Sequence, residues 1–441
     1  MSAPTQARPA DGDLVVSLDV VELRPSARKR LITGTALIVT GLVIVLAWGV
    51  GARNGDAAFQ VSQPFDRWHV GVLRFPGGAV AMVMGAIVVL LGLGQLLRGY
   101  TKSQMRWVLT VTVALFVLAF LCWAGTGSPD NPISLTGLVT NSVTASIPLI
   151  LGALAGIICE RSGVINVAIE GQMLVGAFAG ALFASSAGSL GIGIVAAMLG
   201  GALIGVLLAV FAIRYLVNQV VLGVVLNTFA LGLTNLGYHS IMAGEKNSAK
   251  YNAGATLNPI KIPVLGDIPV IGQALFNVNI IVYITYGLII AVDIALFRTR
   301  WGLRTRAVGE HPKAADTVGI KVRRVRFRNV LIGGLIAGLA GATLTIGGSG
   351  QFNANISSGK GFIALAAVIF GRWSPRGAIA AALLFGFTDQ LQTTLTIVRP
   401  PVEIPSNFLS MALYLATVIA VAGLVGRVQA PAADGQPYEK E

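Results

Sequence analysis

The sequence predicts an all-α polytopic membrane protein of about 10–12 transmembrane helices, with a weak internal repeat and a short re-entrant or broken helix in each half. Three observations carry this. Apolar runs near the roughly 20 residues needed to cross a bilayer recur along the whole chain. Only 12% of the residues are charged, against about 25% in soluble chains. The Lys and Arg residues behind a net charge of +13 gather in a few segments between apolar runs, as they do when basic loops are retained in the cytoplasm.

Residues 1–30 are polar and include Arg24, Arg28, Lys29 and Arg30. A secretory signal has a shorter core and a small-residue cleavage site, so this stretch reads as an uncleaved cytoplasmic tail. Apolar runs at about 31–52, 76–97 and 107–127 make up an additional N-terminal membrane region, 31–127. A core region, 134–426, follows, with runs at about 134–158, 164–186, 191–213, 219–243 and 278–297. Beyond a basic loop come runs at about 329–350, a short one at 361–371, then 377–398 and 405–426, with 427–441 as a second cytoplasmic tail. Arg98, Lys102 and Arg106 mark one inner loop, and Arg372 and Arg376 another. The largest, 298–328, holds ten Lys and Arg against two acids, Glu310 and Asp316. Both termini then lie inside, and the loops 53–75 and 244–277 outside, the latter turn-rich through Pro259, Pro263 and Pro269.

Composition also excludes. Basic residues are not interleaved with aromatic ones, so nucleic-acid binding is not expected. Two cysteines, Cys122 and Cys159, and three scattered histidines support no disulfide framework, metal site or cofactor. A membrane enzyme would need a cluster of His, Asp or Glu at one face, and the sequence offers none, so catalysis is not expected.

Glycines four apart, Gly176 and Gly180, Gly201 and Gly205, Gly334 and Gly338, predict close helix packing. Residues 171–205 are echoed weakly by 361–386, and duplicated halves in transporters place the substrate path between them.

Three stretches stand out as candidate sites. In GVINVAIEGQM, residues 163–173, Asn166, Glu170 and Met173 share one helical face. A carboxylate inside hydrocarbon is costly, so Glu170 faces a water-filled path or polar partner, or else lies near an interface paired with Arg161. In RTRAVGEHPKAADTVGI, residues 304–320, Pro312 suits a first helical position and Gly319 closes a helix of about two turns. Such a helix offers a rigid knob to a soluble partner; the competing reading is a basic loop held to anionic lipid. SGQFNANISSGKGF, residues 349–362, precedes an apolar run too short to cross and reads as re-entrant. It does not make a phosphate-binding loop, because Ala354 and Gly361 stand where Gly and Ser or Thr are required. Asn141, Asn227, Asn235, Asp389, Gln390 and Gln392 are further intramembrane polar groups, and Asp389 and Gln392 share a helix face.

ERSGVINVAIEGQMLVGAFAG at 160–180, NQVVLGVVLN at 218–227, WGLRTRAVGEHPKAADTVGI at 301–320 and GKGFIALAAVIFGRWSP at 359–375 resemble the membrane permeases of ATP-binding-cassette importers for branched-chain amino acids, simple sugars and nucleosides. The wording is most similar to the nucleoside branch, which works with a lipoprotein receptor. The resemblance implies a multi-pass permease of a bacterial cytoplasmic membrane forming half of a translocation path. Its partners would be a separate cytoplasmic ATPase, a second permease (the same chain or a related one) and an extracytoplasmic substrate-binding lipoprotein. The alternatives are a simple-sugar importer and a proton-coupled transporter. The resemblance makes 306–319 the helix that couples to the ATPase, through Gly309, Glu310, Pro312, Ala315 and Gly319. It places Asn166 and Glu170 beside the substrate path; Asn227, Asp389 and Gln392, read above as intramembrane polar groups, are the further path candidates. His311 stands where family members have Asn, a stronger cap.

Overall fold

The computed structural model describes residues 26–52, 55–62, 71–127, 130–398 and 430–440, with 400–402, 405, 408 and 411. The span expected at about 405–426 therefore lies largely outside the described residues. The helices run, in order, α1 Ala27–Val43, α2 Gly77–Leu97, α3 Lys102–Gly125, α4 Leu135–Glu160, α5 Ile169–Ala187, α6 Leu190–Ala209, α7 Gln219–Gly237 and α8 Glu245–Tyr251. Then come α9 Ile271–Phe276, α10 Ile280–Arg298, α11 Arg300–Glu310, α12 Pro312–Thr317, α13 Val322–Leu344, α14 Lys360–Phe370 and α15 Pro375–Val398. Eight of the described helices, some extended by a π or 3-10 turn, are long and apolar enough to cross a membrane. With α5 and α15 at 19 and 24 residues, the chain is the all-α polytopic protein its composition predicts.

The chain divides into two compact units: Met1–Ala57 with Phe75–Pro129, and Ala58–Arg74 with Asp130–Glu441. In the first, α1 and α2 meet through glycines. A Cβ at Gly41 would lie 2.8 Å from the Gly85 carbonyl, and one at Gly92 would lie 3.1 Å from that of Gly34. Without side chains between them the backbones make close van der Waals contact, which lipid cannot outcompete. On α3, Thr101 and Gln104 form a capping box, and Trp48 packs edge-on against Phe116 with ring centres 4.5 Å apart.

In the second unit α4 is central and buried over most of its length, with Leu151, Leu154, Ile157, Met173 and Phe385 in one apolar core. The spaced glycines do what their pattern predicts. A Cβ on Gly176 would stand 2.6 Å from Gly338 Cα, and one on Gly201 would stand 2.5 Å from the same atom. Three helices, α5, α6 and α13, thus cross with no side chain between them. Substituting Leu for Gly338 is expected to destabilise the unit by about 3 kcal/mol, because its Cβ overlaps the Ala197 carbonyl and rigid backbone cannot yield. Loss of the detergent-solubilised monodisperse species checks this.

Three helix starts differ from expectation by five residues or more: α3 begins at Lys102 rather than 107 and α13 at Val322 rather than 329, both earlier, whereas α5 begins later. The run from 164 becomes helical only at Ile169. Residues 161–168 form turns: Gly163 sits at φ +82°, Arg326 Nε donates to the Ser162 carbonyl at 3.1 Å, and Ile165 N–H donates to Gln219 at 2.7 Å. These long-range bonds hold the backbone out of the helix its local composition favours.

Candidate functional site

The candidate residues occupy two levels of the second unit: a junction between α5 and α14, and the end carrying the basic segment 298–328.

The junction is built by chain geometry. Arg161 Nε donates to the Trp373 carbonyl at 2.9 Å, so the end of α14 lies at the same level as the end of α4. With 11 residues, α14 is about 16 Å long, roughly half of what a 30 Å hydrocarbon layer requires, so it cannot cross alone and its start at Lys360 is met from within the bundle. There it meets the first turn of α5: a Cβ on Gly361 would lie 2.5 Å from Glu170 Cα. The Glu170 carboxylate is buried and fully engaged. Oε1 accepts from Ser357 Oγ at 2.6 Å and from Gly359 N–H at 2.8 Å, and Oε2 accepts from Gly361 N–H at 2.6 Å. Glu170 thus places its negative charge on the N-terminus of α14, where free N–H groups and the helix dipole favour an anion.

The segment leading into that junction is non-helical. Phe352, fully buried between Phe178 and Tyr238, is held by Asn252, which accepts from its N–H at 2.8 Å and donates to its carbonyl at 2.9 Å. Asn355, Ser358 and Gly359 adopt positive φ of 57°, 45° and 83°. Ser357 is buried, while Asn353, Asn355 and Ser358 are exposed on the chain. Irregular backbone with exposed polar side chains cannot face hydrocarbon, so this strip faces water or a partner subunit.

The other path candidates are distributed around this junction. Asn166 is fully buried and donates to Gln172 Oε1 at 3.0 Å. Asn227 joins α7 to α5, accepting from Gly171 N–H at 2.8 Å and donating to the Val167 carbonyl at 2.9 Å. Asp389 and Gln392 are half-buried on α15. The structure gathers Asn166, Glu170 and Asn227 around the start of α5, with Asp389 and Gln392 on a separate helix. Pattern reading passed over Ser357 and the Gly359 and Gly361 amides; the one signal was the clustering of Ser and Gly before a short apolar run.

At the basic end, α11 and α12 meet at a sharp corner. Pro312 is the first residue of α12, His311 is its N-cap without a side-chain capping bond, and Gly319 leaves the helix at φ +84°. Of the coupling candidates, Gly309 and Ala315 are buried. A Cβ on Gly309 would overlap the Arg161 carbonyl. Glu310 is exposed and accepts from Ala432 N–H at 3.2 Å. The outward face of the corner is His311, Lys313, Ala314, Thr317 and Val318, with Val318 75% exposed. Arg161, partly buried between Glu310 and Arg306, has its pKa lowered chiefly by burial. Beside the corner, Glu160 accepts from Trp373 Nε1, and both line a cavity of about 520 Å³ with Ile165, Ile369 and Asp434.

A multi-pass helical bundle with one helix too short to cross and a basic segment at one end has the build of a membrane permease. The chain belongs to the branched-chain amino acid transport system / permease component family, whose model matches residues 138–422. It is 42% identical over 315 residues, covering 69% of this chain and 96% of the relative, to the guanosine ABC transporter permease protein NupQ of Bacillus subtilis. It is 38% identical over 314 residues to the nucleoside ABC transporter permease protein NupC of Lactococcus lactis, with the same coverage. It is 34% identical over 256 residues, 58% of this chain and 77% of the relative, to TsgC13 of Haloferax volcanii, a protein provisionally named a glucose ABC transporter permease. No solved structure matches the chain.

Proposed function

We propose that this chain is the permease subunit of an ATP-driven nucleoside importer, contributing half of a translocation path and coupling to a separate cytoplasmic ATPase through the α11–α12 corner. The observation that carries the substrate class is 42% identity spanning 96% of NupQ. The geometry supports the energy source: Glu170 is occupied by three donors, which fits a fixed anchor better than a group that ferries protons. The basic end faces the cytoplasm, as ten Lys and Arg against two acids in 298–328 favour. A second permease, identical or related, completes the path, and an extracytoplasmic lipoprotein delivers substrate.

The path runs past the exposed polar strip Asn353, Asn355 and Ser358, joined by Asp389 and Gln392, whose amides, hydroxyl and carboxylate match the hydroxyls of a ribose. Asn166, Glu170 and Asn227 act at its wall by fixing α5 against α14 and α7. Gly309, Glu310, Pro312, Ala315 and Gly319 set the corner's shape, and the exposed face around Val318 makes the contact. Uptake of labelled nucleosides by proteoliposomes with the ATPase and receptor, competed by unlabelled nucleosides and pentoses, tests the reading. Competition by nucleosides alone is expected. Stronger competition by sugars favours the second reading, a simple-sugar importer, to which the likeness to TsgC13 points. Uptake on a proton gradient without the ATPase overturns both.

A further inference from the structure

Residues 430–440 lie beyond the family match at 138–422, yet they are fastened to the same corner as α12. Ala433 N–H donates to the Gly309 carbonyl at 2.9 Å, and Ala432 N–H to the Glu310 carboxylate at 3.2 Å. Arg326, buried on α13, donates through Nη1 to the Gln436 carbonyl at 2.8 Å and through Nε to the Ser162 carbonyl at 3.1 Å. Tyr438 is buried in an apolar cluster with Val308, Ala315, Val322 and Val325. These contacts reach α11, α12, α13 and, through Arg326, the turn after α4. They fall on the inward side of the corner, leaving His311, Lys313, Ala314, Thr317 and Val318 exposed. With six residues, α12 is too short to be stable alone and depends on such tertiary contacts.

We propose that segment 430–440 is a clasp that binds the α11–α12 corner to the ends of α4 and α13, so that force applied to α12 reaches the membrane helices. This rests on the reading of α12 as the ATPase contact. The clasp carries a titratable group. Asp434 is pushed up to about 7 by burial, with the Gly435 N–H and Arg326 opposing that rise. The charged groups facing it are Glu160 from α4, Arg326 from α13 and, beside Ala432, Glu310 from α11. Because the clasped value lies above the ordinary 3.8, clasping is favoured by protonation. It is tightest below about pH 4, weakens as pH rises towards 7 and stays at its weakest above that.

The test uses the complete transporter in proteoliposomes, with three variants: deletion of 430–440, Tyr438→Ala and Asp434→Asn. The deletion and Tyr438→Ala are expected to retain the ATPase and its hydrolysis while substrate moved per ATP falls about fivefold or more. Asp434→Asn is expected to flatten the pH dependence of amide exchange at 430–440 between pH 5 and 8, where the native segment becomes less protected as pH rises. Unchanged transport per ATP in both the deletion and Tyr438→Ala overturns the clasp, as does loss of ATPase binding on deletion, which would make the segment part of the docking surface. The α12 reading fails separately, if Val318→Asp leaves the ATPase bound.

Discussion

Replacing Glu170 by Gln is expected to lower uptake by more than about tenfold without reducing the amount of folded protein in the membrane. The side chain keeps its shape, so any effect comes from charge and hydrogen-bond polarity. Glutamine retains one acceptor oxygen, enough for Ser357 and Gly359, but its NH₂ then points at the Gly361 N–H that now donates at 2.6 Å. Donor faces donor in a buried site. Hydrogen bonds to a charged group contribute about 1.5–3 kcal/mol each, and a buried unsatisfied donor costs a similar amount. Losing about 2 kcal/mol is about 30-fold in the equilibrium that keeps α14 seated on α5. Ile169 and Met173 of α5 and Ile363, Ala367 and Val368 of α14 share the apolar core with α4, which keeps the protein folded while the thermal unfolding midpoint of the solubilised protein falls by a few degrees. Wild-type uptake by the Gln variant would mean that geometry alone holds the junction.

Two substitutions at the basic corner are expected to separate its shape from its contact. Gly309→Val forces a side chain into the Arg161 carbonyl, displacing the corner from the turn after α4 at a cost of about 1–3 kcal/mol. ATPase hydrolysis is expected to continue while uptake falls about tenfold or more, since the knob remains but its seating is lost. Val318→Asp alters a residue that is 75% exposed and touches no core, so folding is expected to be unaffected while co-purification with the ATPase falls by about tenfold or more. If both variants behave like wild type in uptake and co-purification, the corner is a connector and the coupling surface lies elsewhere.

Much of this arrangement was legible in the residues. Apolar runs of bilayer length gave most of the helices, and Pro312 with Gly319 bracketed α12 to within two residues of its observed end at Thr317. The spacing of Gly176, Gly201 and Gly338 announced close packing. Less visible was anything that depends on distant segments meeting. Glu170 reads as a charge in search of water or a basic partner, because its partners are the Ser357 hydroxyl and two backbone amides about 190 residues away, which the clustering of Ser and Gly there marks only faintly. The start of α5 was misplaced by five residues, expected at 164 and found at Ile169, because Arg326 and Gln219 hold the preceding turn from other helices. The clasp went unread for a similar reason: Asp434 and Tyr438 sit in a polar stretch whose composition suggests solvent.

Gly176, Gly201 and Gly338 have a mechanical corollary. Backbones that touch atom to atom cannot slide or roll without collision, so α5, α6 and α13 form a keel that keeps its shape throughout a transport cycle. Bending must then concentrate where the chain is not helical, at 161–168 and 350–359. Those are the two stretches that flank Glu170 and its amides: 161–168 runs from the far end of α14 to its start, where 350–359 also ends, so the lock sits where the two bendable stretches meet.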